Sequence, residues 1–202
     1  MLKTQSIMLA LTLLCCSSAV QAQRGWPYPP AFEDADEHVY RTVGDVTLKA
    51  WVFRPESVAP AGGYPAIVFF FGGGWQGGTP AQFAKQCRYF QSRGMVAVAC
   101  DYRVASRHGV KAVDCVEDAK SAVRWLRASA AGLQIDPQRI CASGGSAGGH
   151  IAACTGVVSG LDANGEDLAI SSVPNAMALF NPAVMLAPLE GAELTAKQAE
   201  RN

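Results

Sequence analysis

The order of apolar runs along the chain is the feature that most restricts its fold. Tyr64 to Phe71 is a nearly unbroken apolar run, which is typical of a strand covered on both faces. Helix and strand patterns then alternate: helices over about 80–92, 113–130 and 147–158, and strands over 95–100, 139–142 and 176–180. Repeated strand–helix units predict an α/β fold with a mostly parallel sheet and helices on both faces.

Two further strands are expected ahead of this alternation. His38 to Val43 and Val46 to Phe53 alternate apolar and polar residues around Gly44-Asp45, as two antiparallel strands joined by a tight turn do. The 202 residues, half of them hydrophobic, are enough for one well-buried core. We therefore assign 36–202 to one domain and 23–35, which is rich in proline and cannot form regular helix, to a surface lead-in.

The N-terminus has the layout of a secretory signal peptide. Lys3 is followed by an apolar run from Ile7 to Leu14 and by small residues ending at Ala22, which suits signal peptidase. The run is shorter than the roughly 20 residues that a membrane-spanning helix needs. We expect a signal peptide over 1–22 with cleavage after Ala22, a secreted or periplasmic protein, and no stable membrane anchor.

Charge and cysteine usage exclude some classes of partner. Lys+Arg and Asp+Glu are both 17, so there is no net basic field to attract nucleic acid. Removing Cys15 and Cys16 with the signal leaves an odd number of cysteines, which is no disulfide framework. Cys87 and Cys115 lie on two predicted helices and are candidates to pair with each other. No metal-ligand spacing is present, and we expect neither metal nor organic cofactor.

The stretch Gly144-Gly145-Ser146-Ala147-Gly148 matches G-x-S-x-G, the spacing of a serine nucleophile on a sharp turn. It follows an apolar strand and opens a predicted helix, which is the context this motif requires. The glycines allow strand and helix to pass closely. The alternative is a Gly/Ser-rich loop without chemistry.

A second glycine-rich stretch, Phe71-Gly72-Gly73-Gly74-Trp75, comes directly after the first buried strand. Its backbone N–H groups, with that of Ala147, are suited to an oxyanion hole, in which donors stabilise the negative charge that develops on an attacked carbonyl. A phosphate-binding loop is disfavoured because no Lys-Ser/Thr pair follows the glycines. Trp75 is a candidate lining residue of the acyl pocket, with ordinary packing as the alternative.

These motifs together resemble the esterase/lipase group of the α/β-hydrolases, which includes hormone-sensitive-lipase-like and feruloyl or acetyl esterase-like enzymes. The resemblance runs from Tyr64 to Pro182 and rests on FFFGGGW, Asp101-Tyr102-Arg103, IDPQRI and GGSAGGH. It implies that Ser146 is the nucleophile and that Gly73, Gly74 and Ala147 supply the oxyanion-hole N–H groups. It also implies an ion pair for Arg103. Phe71 stands where many relatives have histidine, and we expect it to brace the glycine loop by packing.

The rest of the catalytic triad is harder to assign. In this fold the acid and then the histidine follow the serine. His38 and His108 precede Ser146, and His150, one helical turn beyond it, is expected to point away from the substrate and to be a buried, hydrogen-bonded structural residue. Asp162, Glu166 and Asp167 lie in a polar loop before the last predicted strand.

The resemblance therefore implies that both missing groups follow strands beyond Asn202. We expect the chain to be the N-terminal part of a hydrolase, with its C-terminal strands missing and with little activity on its own.

The expected function is that of a serine esterase. Ser146 would form an acyl-enzyme with a carboxylic ester, either a small molecule or a carbohydrate ester with a small acyl group. A peptidase of the same fold and a noncatalytic secreted binding protein remain as alternatives.

Overall fold

The computed structural model describes residues 26–186, and its centre is a six-stranded sheet. The strands are β1 (Asp36–Val43), β2 (Val46–Phe53), β3 (Tyr64–Phe70), β4 (Val96–Cys100), β5 (Ile135–Gly145) and β6 (Ala176–Phe180), in the order β1-β2-β4-β3-β5-β6. Strands β4, β3, β5 and β6 run parallel, whereas β1 and β2 form an antiparallel hairpin whose second strand pairs antiparallel with β4.

In the part of the chain that the structure describes, five α-helices connect the strands. They are α1 (Ala84–Ser92), α2 (Ala105–His108), α3 (Ala112–Ala128), α4 (Ala130–Leu133) and α5 (Ala147–Val157), and a 3₁₀ turn over Pro80–Phe83 precedes α1. The α/β fold with a mostly parallel sheet is thus confirmed. Each helix among residues 26–186 is too short or too polar to span a bilayer.

Alternate residues of the sheet face two separate cores, because successive side chains in a strand point to opposite faces. On β3, Val68 and Phe70 belong to the core under α3 and α5, and Ile67 and Phe69 to the core under α1. The predicted pairing of Cys87 with Cys115 is wrong. Both thiols are free and buried, and they belong to the two different cores, so the sheet separates them.

Most predicted element bounds agree with the structure within a few residues, and the differences have local causes. Strand β5 begins at Ile135 instead of Arg139 because Ile135 pairs with Tyr64 before a register shift leads to the pairing of Ala66 with Ile140. The predicted helix over 80–92 opens as 3₁₀ turn, where the Thr79 hydroxyl accepts a hydrogen bond from the Ala81 N–H. The predicted signal peptide lies outside the described residues.

Candidate active site

Ser146 lies in the turn between β5 and α5, with φ 54° and ψ −117°, and it is exposed. This left-handed backbone is rare for a residue with a side chain and turns the chain sharply between the two elements. A Cβ on Gly148 would lie 2.6 Å from the carbonyl carbon of Phe70 and closer still to two carbonyl oxygens of the β3 end. Only glycine at this position lets α5 approach the sheet closely enough to form the turn.

The end of β6 holds the Ser146 backbone in place. The Ser146 N–H donates to the Phe180 carbonyl at 3.0 Å, and the Ser146 carbonyl accepts from the N–H groups of His150 at 3.0 Å and Ala183 at 3.1 Å. Both polar groups of the Ser146 backbone are therefore satisfied within the described chain. The side-chain hydroxyl remains on the surface of the turn.

The glycine loop lies beside this turn. Gly72 donates its N–H to Oε1 of Gln82 at 2.5 Å, and the Gly73 carbonyl accepts from the Gln76 N–H at 3.1 Å. Within residues 26–186 the N–H groups of Gly73 and Gly74 have no acceptor. The structure brings both glycines to the same two clefts that Ser146 lines.

Ala147 is buried directly after Ser146, as the first residue of α5. The N–H groups of the first helical turn have no partner within the helix. Ser146, Gly73, Gly74 and Ala147, which are distributed over two separate stretches of the sequence, thus meet at the carboxyl edge of β3 and β5. Such an edge is a usual place for a ligand in a parallel α/β sheet.

Phe71 braces the glycine loop, as expected from the sequence. Its buried ring stacks on the ring of Tyr102, with centroids 4.1 Å apart, and the Tyr102 hydroxyl donates to the Phe71 carbonyl at 2.7 Å. Burial raises the pKa of the Tyr102 hydroxyl well above its ordinary value, so the group keeps the proton that it donates.

Arg103 forms the ion pair that the resemblance implies. Its Nε lies 2.8 Å from Oδ2 of Asp118, and its Nη2 lies 2.9 Å from Oδ1. Asp118 is fully buried and also accepts from the Arg103 N–H at 3.0 Å and from Nη1 of Arg41 at 2.7 Å. This network connects the segment after β4 to α3 and β1, away from Ser146.

Two clefts meet at Ser146. The first has a volume of about 960 Å³, and the second, of about 630 Å³, is lined by Trp75 and by residues at the starts of α2 and α3. Trp75 has φ 60°, and its indole lies edge-on to the His150 ring with centroids 5.2 Å apart. Trp75 therefore lines a cleft at Ser146 and also packs against α5, and its assignment to the acyl pocket stays a prediction.

None of the three histidines lines either cleft. His150 places Nε2 3.5 Å from Sγ of Cys154, and burial lowers the pKa of its ring. Its Nδ1 has no partner among residues 26–186, and His150 is half-buried. The expectation of a buried, hydrogen-bonded residue is therefore met only in part, through Nε2. His108, the last residue of α2, accepts the Val104 N–H at Nδ1 at 3.0 Å, which ties its side chain to the start of that helix.

The carboxylates of the loop before β6 are engaged elsewhere. Asp162 lies 2.6 Å from Nη2 of Arg124 and 3.2 Å from Nζ of Lys120, and Glu166 pairs with Nη1 of Arg124. Asp167 accepts a local backbone N–H. Neither cleft at Ser146 is lined by a carboxylate among the described residues. Within that same part of the chain no three His, Cys, Asp or Glu side chains are grouped to hold a metal ion.

The first cleft has a wall that sequence reasoning missed. Residues 26–32, which we call the strap, line it together with the 3₁₀ turn and α1. The sequence assigned this segment to a lead-in because its prolines exclude regular structure. The dense aromatic content of the segment, Trp26, Tyr28 and Phe32, is the signal that could have indicated packing.

Comparison with known proteins agrees with this geometry. Residues 52–185 match the BD-FAE family. The carboxylesterase NlhH of Mycobacterium tuberculosis is 37% identical over 90 residues, which are 44% of this chain and 28% of the relative. An AB hydrolase superfamily protein of Schizosaccharomyces pombe is 38% identical over 105 residues, 50% of this chain and 30% of the relative.

Among solved structures, the native thermophilic esterase Est2 of Thermogutta terrifontis is similar with a TM-score of 0.81 and 54% identity. The match covers 89% of this chain and 64% of that one. The same esterase has been solved with propionate or butyrate bound and phosphorylated by paraoxon. The chain thus spans about a third or less of the curated relatives and just under two thirds of this structural relative.

Proposed function

The chain belongs to the BD-FAE family of esterase/lipase-like α/β-hydrolases, and on this premise we propose that it carries the nucleophile and the oxyanion hole of a serine esterase. The observation that carries the proposal is the exposed Ser146 on a left-handed turn beside two glycines whose N–H groups have no acceptor in the described chain. Donors held ready in this way need no reorganisation when charge develops.

In the proposed reaction the Ser146 hydroxyl attacks the carbonyl carbon of an ester and gives its proton to a general base. The carbonyl oxygen becomes an oxyanion that accepts hydrogen bonds from the N–H groups of Gly73, Gly74 and Ala147. When the carbon–oxygen bond to the alcohol breaks, the base returns the proton to the leaving alkoxide. Water then hydrolyses the acyl-enzyme by the same steps and regenerates Ser146.

The base and its partner acid are not among the groups around Ser146 in residues 26–186. The histidines there are bound or packed elsewhere, and the nearby loop carboxylates pair with Lys120 and Arg124. We propose that a histidine and a carboxylate outside the described residues complete the triad in the whole protein.

The proposed substrate is an ester of a short acyl group. The binding of propionate and butyrate by the Thermogutta esterase, together with its 54% identity to this chain, supports this choice. We also propose that the protein acts outside the cytoplasm after cleavage behind Ala22. Sequencing the N-terminus of the exported protein, with Gln23 expected first, tests that location.

Covalent labelling tests the nucleophile directly. The full-length protein is treated with paraoxon, and the modified residue is identified by peptide mass spectrometry. We expect one phosphorylated serine, Ser146, and loss of labelling and of esterase activity in Ser146→Ala. Ser106→Ala is the matched control, since Ser106 is also exposed and lies close to the glycine loop, with its Oγ 3.7 Å from a Cβ built on Gly77.

The outcomes separate the candidate functions. Labelling at Ser146 that persists in Ser106→Ala supports the esterase. Absence of labelling in a folded, full-length protein would contradict it and would support the noncatalytic binding protein.

A further inference from the structure

The strap, residues 26–32, is held at the carboxyl edge of the sheet by the contacts of Tyr28 with Asp101 and Arg107, which we call the latch. The Tyr28 hydroxyl donates to Oδ2 of Asp101 at 2.7 Å, and Asp101 is almost fully buried directly after β4. The guanidinium of Arg107 lies over the Tyr28 ring, 3.6 Å from its centroid. Arg107 also donates to the Gly78 carbonyl at 2.9 Å, so the latch extends to the backbone that follows the glycine loop.

Contacts on either side of Tyr28 extend this attachment. The Thr79 hydroxyl donates to the Pro27 carbonyl at 2.8 Å, and Pro30 is buried. Phe32 packs edge-on against Trp51 and Phe53, with centroids 5.9 and 5.3 Å away. A segment without regular secondary structure is therefore held by two side-chain hydrogen bonds, one cation–π contact and an aromatic cluster.

The fastened strap faces the first cleft. Together with residues of the 3₁₀ turn and of α1, five residues of the strap line it: Trp26, Pro27, Pro30, Ala31 and Phe32. Ser146 and the glycine loop also line it. Trp26 is 46% exposed and lines the cleft, so it is placed to contact a bound molecule.

We infer that the strap is a fixed wall of the substrate cleft and that Trp26 is a specificity-determining residue that limits the size of the ester group bound beside Ser146. The inference rests on the proposed esterase function and deepens it. Tyr28 acts through Trp26 as a positioning residue, because its bonds to Asp101 and Arg107 set where the strap lies.

Kinetics with two series of esters test this role in the full-length protein. One series lengthens the acyl group on a constant p-nitrophenol, and the other enlarges the alcohol of a constant acetyl group. In one of the two series we expect Trp26→Ala to raise the kcat/KM of the bulkiest ester, relative to that of the smallest, by about tenfold or more. Pocket walls discriminate between substrates on this scale. Trp26→Phe should restore part of the wild-type preference.

Tyr89→Ala is the control for removal of an aromatic side chain. Tyr89 is 55% exposed on α1 and lines neither cleft at Ser146, so its loss should leave both series unchanged. Unchanged preferences in Trp26→Ala, or the same change in Tyr89→Ala, would overturn the inference.

The latch has a readout that needs no catalysis. The difference in fluorescence between the wild type and Trp26→Phe isolates the emission of Trp26, and acrylamide quenching measures its accessibility. Introducing Tyr28→Phe into both proteins should increase the quenching of this difference signal. If quenching stays the same, Tyr28 does not hold the strap.

Paraoxon labelling of Ser146 separates failure of this inference from failure of the proposed function. If Ser146 is labelled but the ester preferences of Trp26→Ala are unaltered, the role of the strap as a wall of the cleft is refuted and the proposed esterase function is not. Absence of labelling refutes the esterase, and the quenching experiment then still decides whether the latch fastens the strap.

Discussion

Gly148→Ala tests whether the close approach of α5 to β3 shapes the turn at Ser146. The added Cβ would lie 2.6 Å from the Phe70 carbonyl carbon, whereas ordinary contact begins at 3.4 Å. The neighbours are backbone atoms at the carboxyl end of β3, so they cannot rotate away as a side chain would. The helix must therefore move by about 1 Å, and it carries Ser146 and the Ala147 N–H with it.

The expected loss of stability follows from this overlap. Adding a methyl group to a well-packed core costs about 1–3 kcal/mol, and the backbone contacts place Gly148→Ala near the upper end. For a protein of this size, about 3 kcal/mol corresponds to a fall in Tm of roughly 6–12 °C. A misplacement of about 1 Å at the reacting group costs on the order of a hundredfold in rate.

Gly132→Ala is the matched control. Gly132 is exposed in α4, and a Cβ there meets nothing within 4 Å, so alanine should stabilise the protein by about 0.5–1 kcal/mol. Thermal unfolding and the rate of paraoxon labelling are measured for both variants of the full-length protein. If Gly148→Ala unfolds and reacts like Gly132→Ala, the close approach does not constrain the turn and the reasoning is wrong.

Three further perturbations test the surroundings of the site. Asp118→Ala removes the closer carboxylate of the buried Arg103 and leaves only Glu117, at 3.6 Å. The free energy of unfolding in urea should therefore fall by about 3 kcal/mol, and an unchanged midpoint would refute the network. Burial, followed by the charge of Asp101, raises the pKa of Tyr28 to about 12, so its hydroxyl should ionise well above pH 10 and the latch should lose its donated proton there. The absorbance difference between wild type and Tyr28→Phe measures this ionisation, and a midpoint near 10 would contradict it. Burial lowers the pKa of His108 below 6.5, and its contribution to stability should therefore be complete above pH 6.5 and lost as pH falls through the lower folded value. His108→Asn should remove that part of the pH dependence of Tm.

Local patterns were sufficient for the strands and for the turn at Ser146. Strand β2 was predicted with its observed bounds because apolar and polar residues alternate along it. Strand β6 was also predicted with its observed bounds, because a short apolar run follows a polar loop. The two glycine stretches were identified from sequence because backbone geometry at a tight turn restricts residue type at the turn itself. Their meeting at one edge of the sheet agrees with parallel strands, whose carboxyl ends lie at the same edge.

The strap and the ion pairs required the tertiary structure. The strap is irregular, and its position depends on Tyr28 meeting Asp101, which is distant in sequence. The separation of Cys87 from Cys115 by the sheet, and the pairing of Asp162 with Lys120, are likewise long-range. The sequence determines which residues form turns, strands or helices, because those preferences are local. The pairing of side chains that are distant in sequence depends on the packing of the whole sheet. The wall of the cleft is built from such pairings, so only the tertiary structure determined it.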